Sequence, residues 1–136
     1  MIPLRDNVAN YEAPLVVWAL IALNCLVFFM YGFLPEAAQS QVFAHWGAIP
    51  AIITHQEQLQ QSVPSALTLF TSMFLHGGLL HLGGNMLFLY LFGDNVQERM
   101  GKVSFLVFYL VAGLIAGLAH VMSDPSSRIV SVGASG

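Results

Sequence analysis

The sequence predicts an all-α polytopic membrane protein, and three observations carry that expectation. Hydrophobic residues make up 57% of the chain and charged residues 8%, against roughly a quarter charged in soluble domains. Mean hydropathy is +0.72. The apolar residues also gather into uncharged runs of about twenty, the length a helix needs to cross the hydrocarbon of a bilayer. A net charge of −3 spread over 136 residues leaves no basic patch for nucleic acid or anionic headgroups. The single cysteine, Cys25, excludes a disulfide framework and a cysteine metal site. No domain boundary, repeat or low-complexity tract interrupts residues 1–136, which read as one domain.

The first span is expected over residues 15–34. It follows Pro14, a residue suited to a helix's first turn, and twenty residues at about 1.5 Å each cover about 30 Å. A cleaved signal peptide has a shorter apolar core of about 7–15 residues and a small-residue cleavage site; Gly32-Phe33-Leu34-Pro35 is a poor one. The second span, about 73–92, holds two histidines, an asparagine and the pairs Gly77-Gly78 and Gly83-Gly84. The third, about 103–122, ends at Ser123-Asp124-Pro125 and carries Gly113-x3-Gly117, a small-residue packing face. Residues 93–102 between them read as a polar hairpin turn. A fourth helix is expected to start at about residue 131.

Orientation follows from the cations. Arg5 precedes the first span, Arg99 and Lys102 fall between the second and third, Arg128 follows the third, and Pro35 to Ser72 has none. The positive-inside rule then places the N-terminus and the hairpin turn in the cytoplasm. The segment from Pro35 to Ser72 lies outside. There Val42, Phe43, Trp46, Ile49 and Ile53 recur at helical spacing, consistent with a helix along the outer leaflet. A loop packed on the spans fits equally, since Pro50 interrupts the pattern.

Within the second span, His81 and Asn85 are four residues apart and so share a helix face. Polar groups at membrane depth point into a bundle, where they serve a site or glue helices together. Ser135 is expected about one helical turn below the outer surface, at a depth similar to His81 and Asn85. Three polar groups on two spans are thus expected at similar depth from the same side, which is what a cavity open to external water would need. A serine hydroxyl becomes nucleophilic when a base takes its proton, and the resulting oxyanion needs donors. A first-turn serine has free backbone N–H groups beside it, and His81 and Asn85 can add side-chain donors. Gly133 and Gly136 permit a tight turn and close substrate approach.

Taken together, His76-x4-His81-x3-Asn85, Phe92-Gly93, Gln97-Glu98-Arg99-Met100-Gly101 and Gly133-Ala134-Ser135-Gly136 resemble the rhomboid intramembrane serine proteases. The likeness is to the bacterial type, whose N-terminus is similar to Met1-Ile2-Pro3-Leu4-Arg5-Asp6-Asn7, and it covers essentially the whole chain. The resemblance implies a rhomboid-like bundle, here three complete transmembrane helices plus the start of a fourth, in a bacterial inner membrane. It implies cleavage of transmembrane segments of single-pass proteins by a Ser–His dyad. Ser135 would be the nucleophile, His81 and Asn85 would assist the oxyanion, and His76 would support them. The family's base is a histidine on its sixth helix, so the chain reads as the N-terminal part of such a protein, inactive alone. His120 matches no family role. The chain also departs from the family in carrying Leu67-Thr68 where Trp-Arg is common, and Gln97 in place of an acidic residue.

The alternative is an inactive protein of the same fold that binds membrane proteins without cutting them. A metal or haem site built from His76, His81 and His120 is disfavoured, because histidines five apart on a helix point about 140° apart. No cofactor is implied, and water is the second substrate. Oligomeric state is not readable from the residues.

Overall fold

The computed structural model describes residues 12–56, 58 and 60–133. Arg5, Ala134, Ser135 and Gly136 lie outside them. Among the described residues the chain is helical, with no strands and a single backbone bridge between Ala48 and Ser131. The helices are α1 (Leu15–Tyr31), α2 (Glu36–Trp46), α3 (Pro50–Ile53), α4 (Thr68–Thr71), α5 (Leu79–Met100) and α6 (Lys102–Ser123). Turns of 3-10 helix flank α4 at Ser65–Leu67 and Ser72–Phe74.

Buried residues on α1 fall at Val17, Leu20, Asn24, Phe28 and Tyr31. Steps of three and four keep them on one face, and that face packs on α5. Leu26, Phe29 and Met30 point outward. The two helices approach closely where Val17 meets Gly93, since a Cβ at 93 would stand 3.0 Å from a Val17 methyl. Val17 N–H, a first-turn donor without a partner in its own helix, donates to Oε1 of buried Gln97 at 3.0 Å. Gln97 therefore caps α1 from α5.

Three expectations about the spans need correction. Helix α1 stops at Tyr31 rather than Leu34, and its 17 residues are short of a full crossing length. The polar stretch 93–102 is no hairpin turn: residues 93–100 continue α5, and the reversal is made at Gly101 with φ +84°. The onset of polar residues there does not mark the end of the helix. The second run is broken at its start, because Ser65–Phe74 and Leu79–Met100 are bent 80° apart. Helix α6, at 22 residues, is the one described helix that is long and apolar enough to cross a membrane alone; counting the bent pair as one span gives a second. Three complete crossings are therefore not established by helix length.

The segment between α1 and α5 is not one helix: it is divided into short helices and packs on α6. Helix α2 ends at Trp46, where Gly47 is extended, and Pro50 opens α3 at its N1 position. Gln61 Nε2 donates to the carbonyls of Ala44 and Gly47 at 3.0 and 3.2 Å, and Thr71 Oγ1 donates to Trp46 O at 2.5 Å. Gln61 thus braces the end of α2. Met73 is buried against Gly113, and Gly117 lies under Leu69, so the small-residue face of α6 receives this segment within the molecule.

After α6 the chain folds back along α3. Ala51 N–H donates to Ser127 O at 2.9 Å, and Ala48 exchanges backbone hydrogen bonds with Ser131 at 2.8 and 3.3 Å. A fourth helix therefore does not include residues 131–133, which are non-helical.

Candidate active site

The break before α5 organises the polar residues. Leu75 is extended (ψ 144°) and so is Gly78 (φ 177°, ψ 175°), so His76 precedes the helix instead of riding on it. Its side chain is fully buried. Its ring stands edge-on to that of His81, with centroids 5.1 Å apart. The 140° separation expected for two histidines on one helix does not apply, and the argument against a shared ion on that ground fails. Among the described residues no group of three metal-ligating side chains comes together.

His81 is in the first turn of α5, and Asn85 follows one turn later. Gly77 N–H donates to His81 Nδ1 at 3.3 Å. The other edge of the ring faces the returning chain. At Gly133, φ is +88°, and a Cβ there would lie 2.9 Å from His81 Cε1, 3.0 Å from His81 Nε2 and 3.3 Å from Asn85 Nδ2. Gly133 N–H donates to the carbonyl of buried Ser72 at 2.8 Å, and Val132 packs beside Phe28, Tyr31, Leu75 and Leu82. The backbone two residues before Ser135 is thus anchored against the His81–Asn85 face. Ser135 and Gly136 themselves lie outside the described residues.

A Cβ at Gly83 or Gly84 would meet nothing within 4 Å among the described residues. Gly84 instead lines, with Asn85, Phe88, Phe92, Tyr109 and Gly113, an apolar groove of about 420 Å³ between α5 and α6. His120 sits in the last turn of α6, where its carbonyl accepts from Ser123 Oγ at 2.7 Å. His45 Nδ1 pairs with Ser62 Oγ at 3.2 Å in an exposed position.

Two polar residues escaped the sequence reading. Asn24, fully buried at mid-α1, donates from Nδ2 to Leu20 O at 2.7 Å; an asparagine inside an apolar run was the available signal. Tyr31 holds the backbone of His76, donating to its carbonyl at 2.9 Å and accepting from its N–H at 2.6 Å. Nothing in the spacing of residues 31 and 76 foretells that contact.

Comparison with known proteins gives a consistent set of matches. The family model described as Rhomboid domain matches residues 64–136. Over 123 residues, 90% of its length, the chain is 29% identical to Rhomboid protease GluP of Bacillus subtilis (strain 168), covering 22% of that protein. It is 37% identical over 78 residues, 57% of the chain, to Rhomboid-like protein 11, chloroplastic, of Arabidopsis thaliana, covering 28% of it. RHOMBOID-like protein 5 of the same plant is 37% identical over 68 residues, half of the chain and 22% of the plant protein. The chain thus spans between 22% and 28% of the length of these curated relatives. No solved structure matches it.

Proposed function

This chain belongs to the rhomboid family, and from that premise we propose that it carries the nucleophile and oxyanion-binding part of an intramembrane serine endopeptidase. One observation carries the reading: Gly133 is held against His81 and Asn85 by its hydrogen bond to Ser72. This sets Gly133, two residues before Ser135 in the chain, beside the side chains of His81 and Asn85 in the first two turns of α5.

In this mechanism Ser135 Oγ attacks the scissile carbonyl and its proton passes to a histidine base on a later helix of the full-length protein. The oxyanion accepts hydrogen bonds from His81 Nε2–H and Asn85 Nδ2–H. Collapse expels the amine, which takes the proton from the base, and leaves an acyl-enzyme that water hydrolyses. Gly133 and Gly136 shape the turn, and His76 supports His81. The substrates are transmembrane segments of single-pass proteins. Residues 1–136 form one membrane domain in which α1, α5 and α6 cross a bacterial inner membrane with the N-terminus in the cytoplasm. The short α1 is extended by apolar Phe33 and Leu34, and local bilayer thinning accommodates such mismatch at modest cost.

The test is labelling of the full-length protein in proteoliposomes with a fluorophosphonate, followed by peptide mass spectrometry and a cleavage assay on a single-pass substrate. The expected result is a single adduct on Ser135, with labelling and cleavage both abolished in Ser135→Ala. An adduct that persists in that variant, or a wild-type protein that binds substrate without cutting it, would overturn the proposal; the latter is the behaviour of an inactive binding module.

A further inference from the structure

The four residues Leu75–Gly78 form no helix, so the backbone N–H and C=O of His76 have no helical partner. Buried backbone groups must find one. Both bond to the same atom, the Tyr31 hydroxyl, which accepts from the N–H at 2.6 Å and donates to the C=O at 2.9 Å. A phenol can do both at once. Tyr31 is itself 4% exposed, with its ring edge-on to Phe28 and Phe43 at 5.5 and 5.6 Å. The end of α1 thus fixes where His76 sits, and with it the next peptide unit.

That next unit carries the Gly77 N–H, which donates to His81 Nδ1 at 3.3 Å. A ring nitrogen that accepts a hydrogen bond carries no proton, so in neutral His81 the proton resides on Nε2. Nε2 is one of the atoms facing Gly133. The donor that the oxyanion role requires is therefore specified on one edge of the ring by a hydrogen bond on the other.

We propose that Tyr31 is a positioning residue: by clamping the His76 backbone it aims the Gly77 N–H at His81 Nδ1 and so locks His81 as the Nε2–H tautomer, turned toward Gly133. Its importance for catalysis rests on the proposed function above, whereas the tautomer itself is measurable without any activity.

The experiment is nitrogen-15 magnetic resonance of histidine-labelled full-length protein in bilayers, at a pH that keeps imidazoles neutral. Wild type is expected to give a His81 signal with bare Nδ1 and protonated Nε2. Tyr31→Phe, which keeps the ring packing and removes only the hydroxyl, is expected to weaken the hydrogen-bond signature of Nδ1 and mix the tautomers. It should also lower kcat about tenfold with KM unchanged, as expected for a donor slightly misplaced. Gly77→Ala retains the N–H, has room for its methyl since the nearest atom is His81 Nδ1 at 3.9 Å, and should keep the wild-type signature.

A wild-type protein with the proton on Nδ1, or a folded Tyr31→Phe protein whose His81 signals are unchanged, would overturn the proposal while leaving the protease reading intact. A wild-type protein that cleaves nothing but shows the Nε2–H signature and its loss in Tyr31→Phe would do the reverse. If Tyr31→Phe does not fold, 3-fluorotyrosine at position 31 keeps shape and hydroxyl but alters its hydrogen bonding. The His76 amide and His81 Nδ1 signals are then expected to shift together, and a shift of the first without the second refutes the coupling.

Discussion

Replacing Gly133 by alanine applies two separate loads to the site, and the geometry lets each be estimated. The first is backbone: at φ +88° an L-residue is strained, at a cost of about 1–2 kcal/mol. The second is steric: the new methyl would stand 2.9 Å from His81 Cε1 and 3.0 Å from Nε2, so the imidazole must give by a few tenths of an ångström. Its Nδ1 is tethered to Gly77 N–H, which resists that movement. A donor displaced on this scale lowers turnover by about ten- to a hundredfold, and a crowded core adds about 1 kcal/mol. The assay is a double-mutant cycle with His81→Ala, reading thermal unfolding in detergent. Because His81→Ala removes the ring the methyl would strike, the Gly133→Ala cost should fall by about 1 kcal/mol in that background, leaving the φ penalty. Strict additivity of the two substitutions would refute the placement of Gly133 against His81. So would a Gly133→Ala protein with wild-type turnover.

Other consequences are checked more simply. Gln97→Leu strands the buried Val17 N–H that Gln97 Oε1 accepts and should cost about 1–3 kcal/mol in unfolding free energy; Gln97→Glu keeps an acceptor beside the positive end of α1 and should be near neutral. Gly113→Val places two methyls where the Met73 side chain lies and should destabilise by about 1–3 kcal/mol, part of which Met73→Ala restores. Thr71→Val removes the hydroxyl bonded to Trp46 O and should raise amide exchange in the segment before α4 by about fivefold, for a lost bond of about 1 kcal/mol, without changing global unfolding.

How much was legible in the residues depended on the range of the physics involved. Helix α6 was expected over 103–122 and runs 102–123, because an unbroken apolar run between Gly101 and Asp124-Pro125 has unambiguous ends. Helix α5 was misjudged at both ends by one error, the use of hydropathy to define a helix. Apolar character continues through Met73 and Leu75, where the backbone has already left the helix, and it stops at Gly93, where the helix goes on to Met100. The pairing of His81 with Asn85 was readable, since i and i+4 define a face. The contacts that hold that face in place were not. Tyr31 and His76 are 45 residues apart, and Val17 and Gln97 are 80 apart; local pattern contains no information about such pairs.

Those long-range contacts explain why the molecule tolerates a break ahead of α5. An uninterrupted helix through residues 73–100 would satisfy its own backbone, but would carry His76 round the helix from His81 and leave Gly77 N–H bonded within the helix. Breaking the helix frees that N–H for His81 Nδ1 and leaves the peptide groups of His76 in need of partners, which Tyr31 supplies. Just ahead of the break, the Ser72 carbonyl at the start of the 3-10 turn accepts from Gly133 N–H, so the chain beside the break also anchors the returning segment. Two glycines and a tyrosine on a different helix thus convert an apolar run into a shelf on which His81, Asn85 and the Gly133 turn are held at fixed separations. With His81 in the first turn of α5 and Asn85 in the second, the helix's first N–H groups, which have no side-chain cap, lie on the side where the proposed reaction would develop negative charge. The break at Leu75–Gly78 thus both leaves the His76 peptide groups in need of Tyr31 and frees the Gly77 N–H for His81.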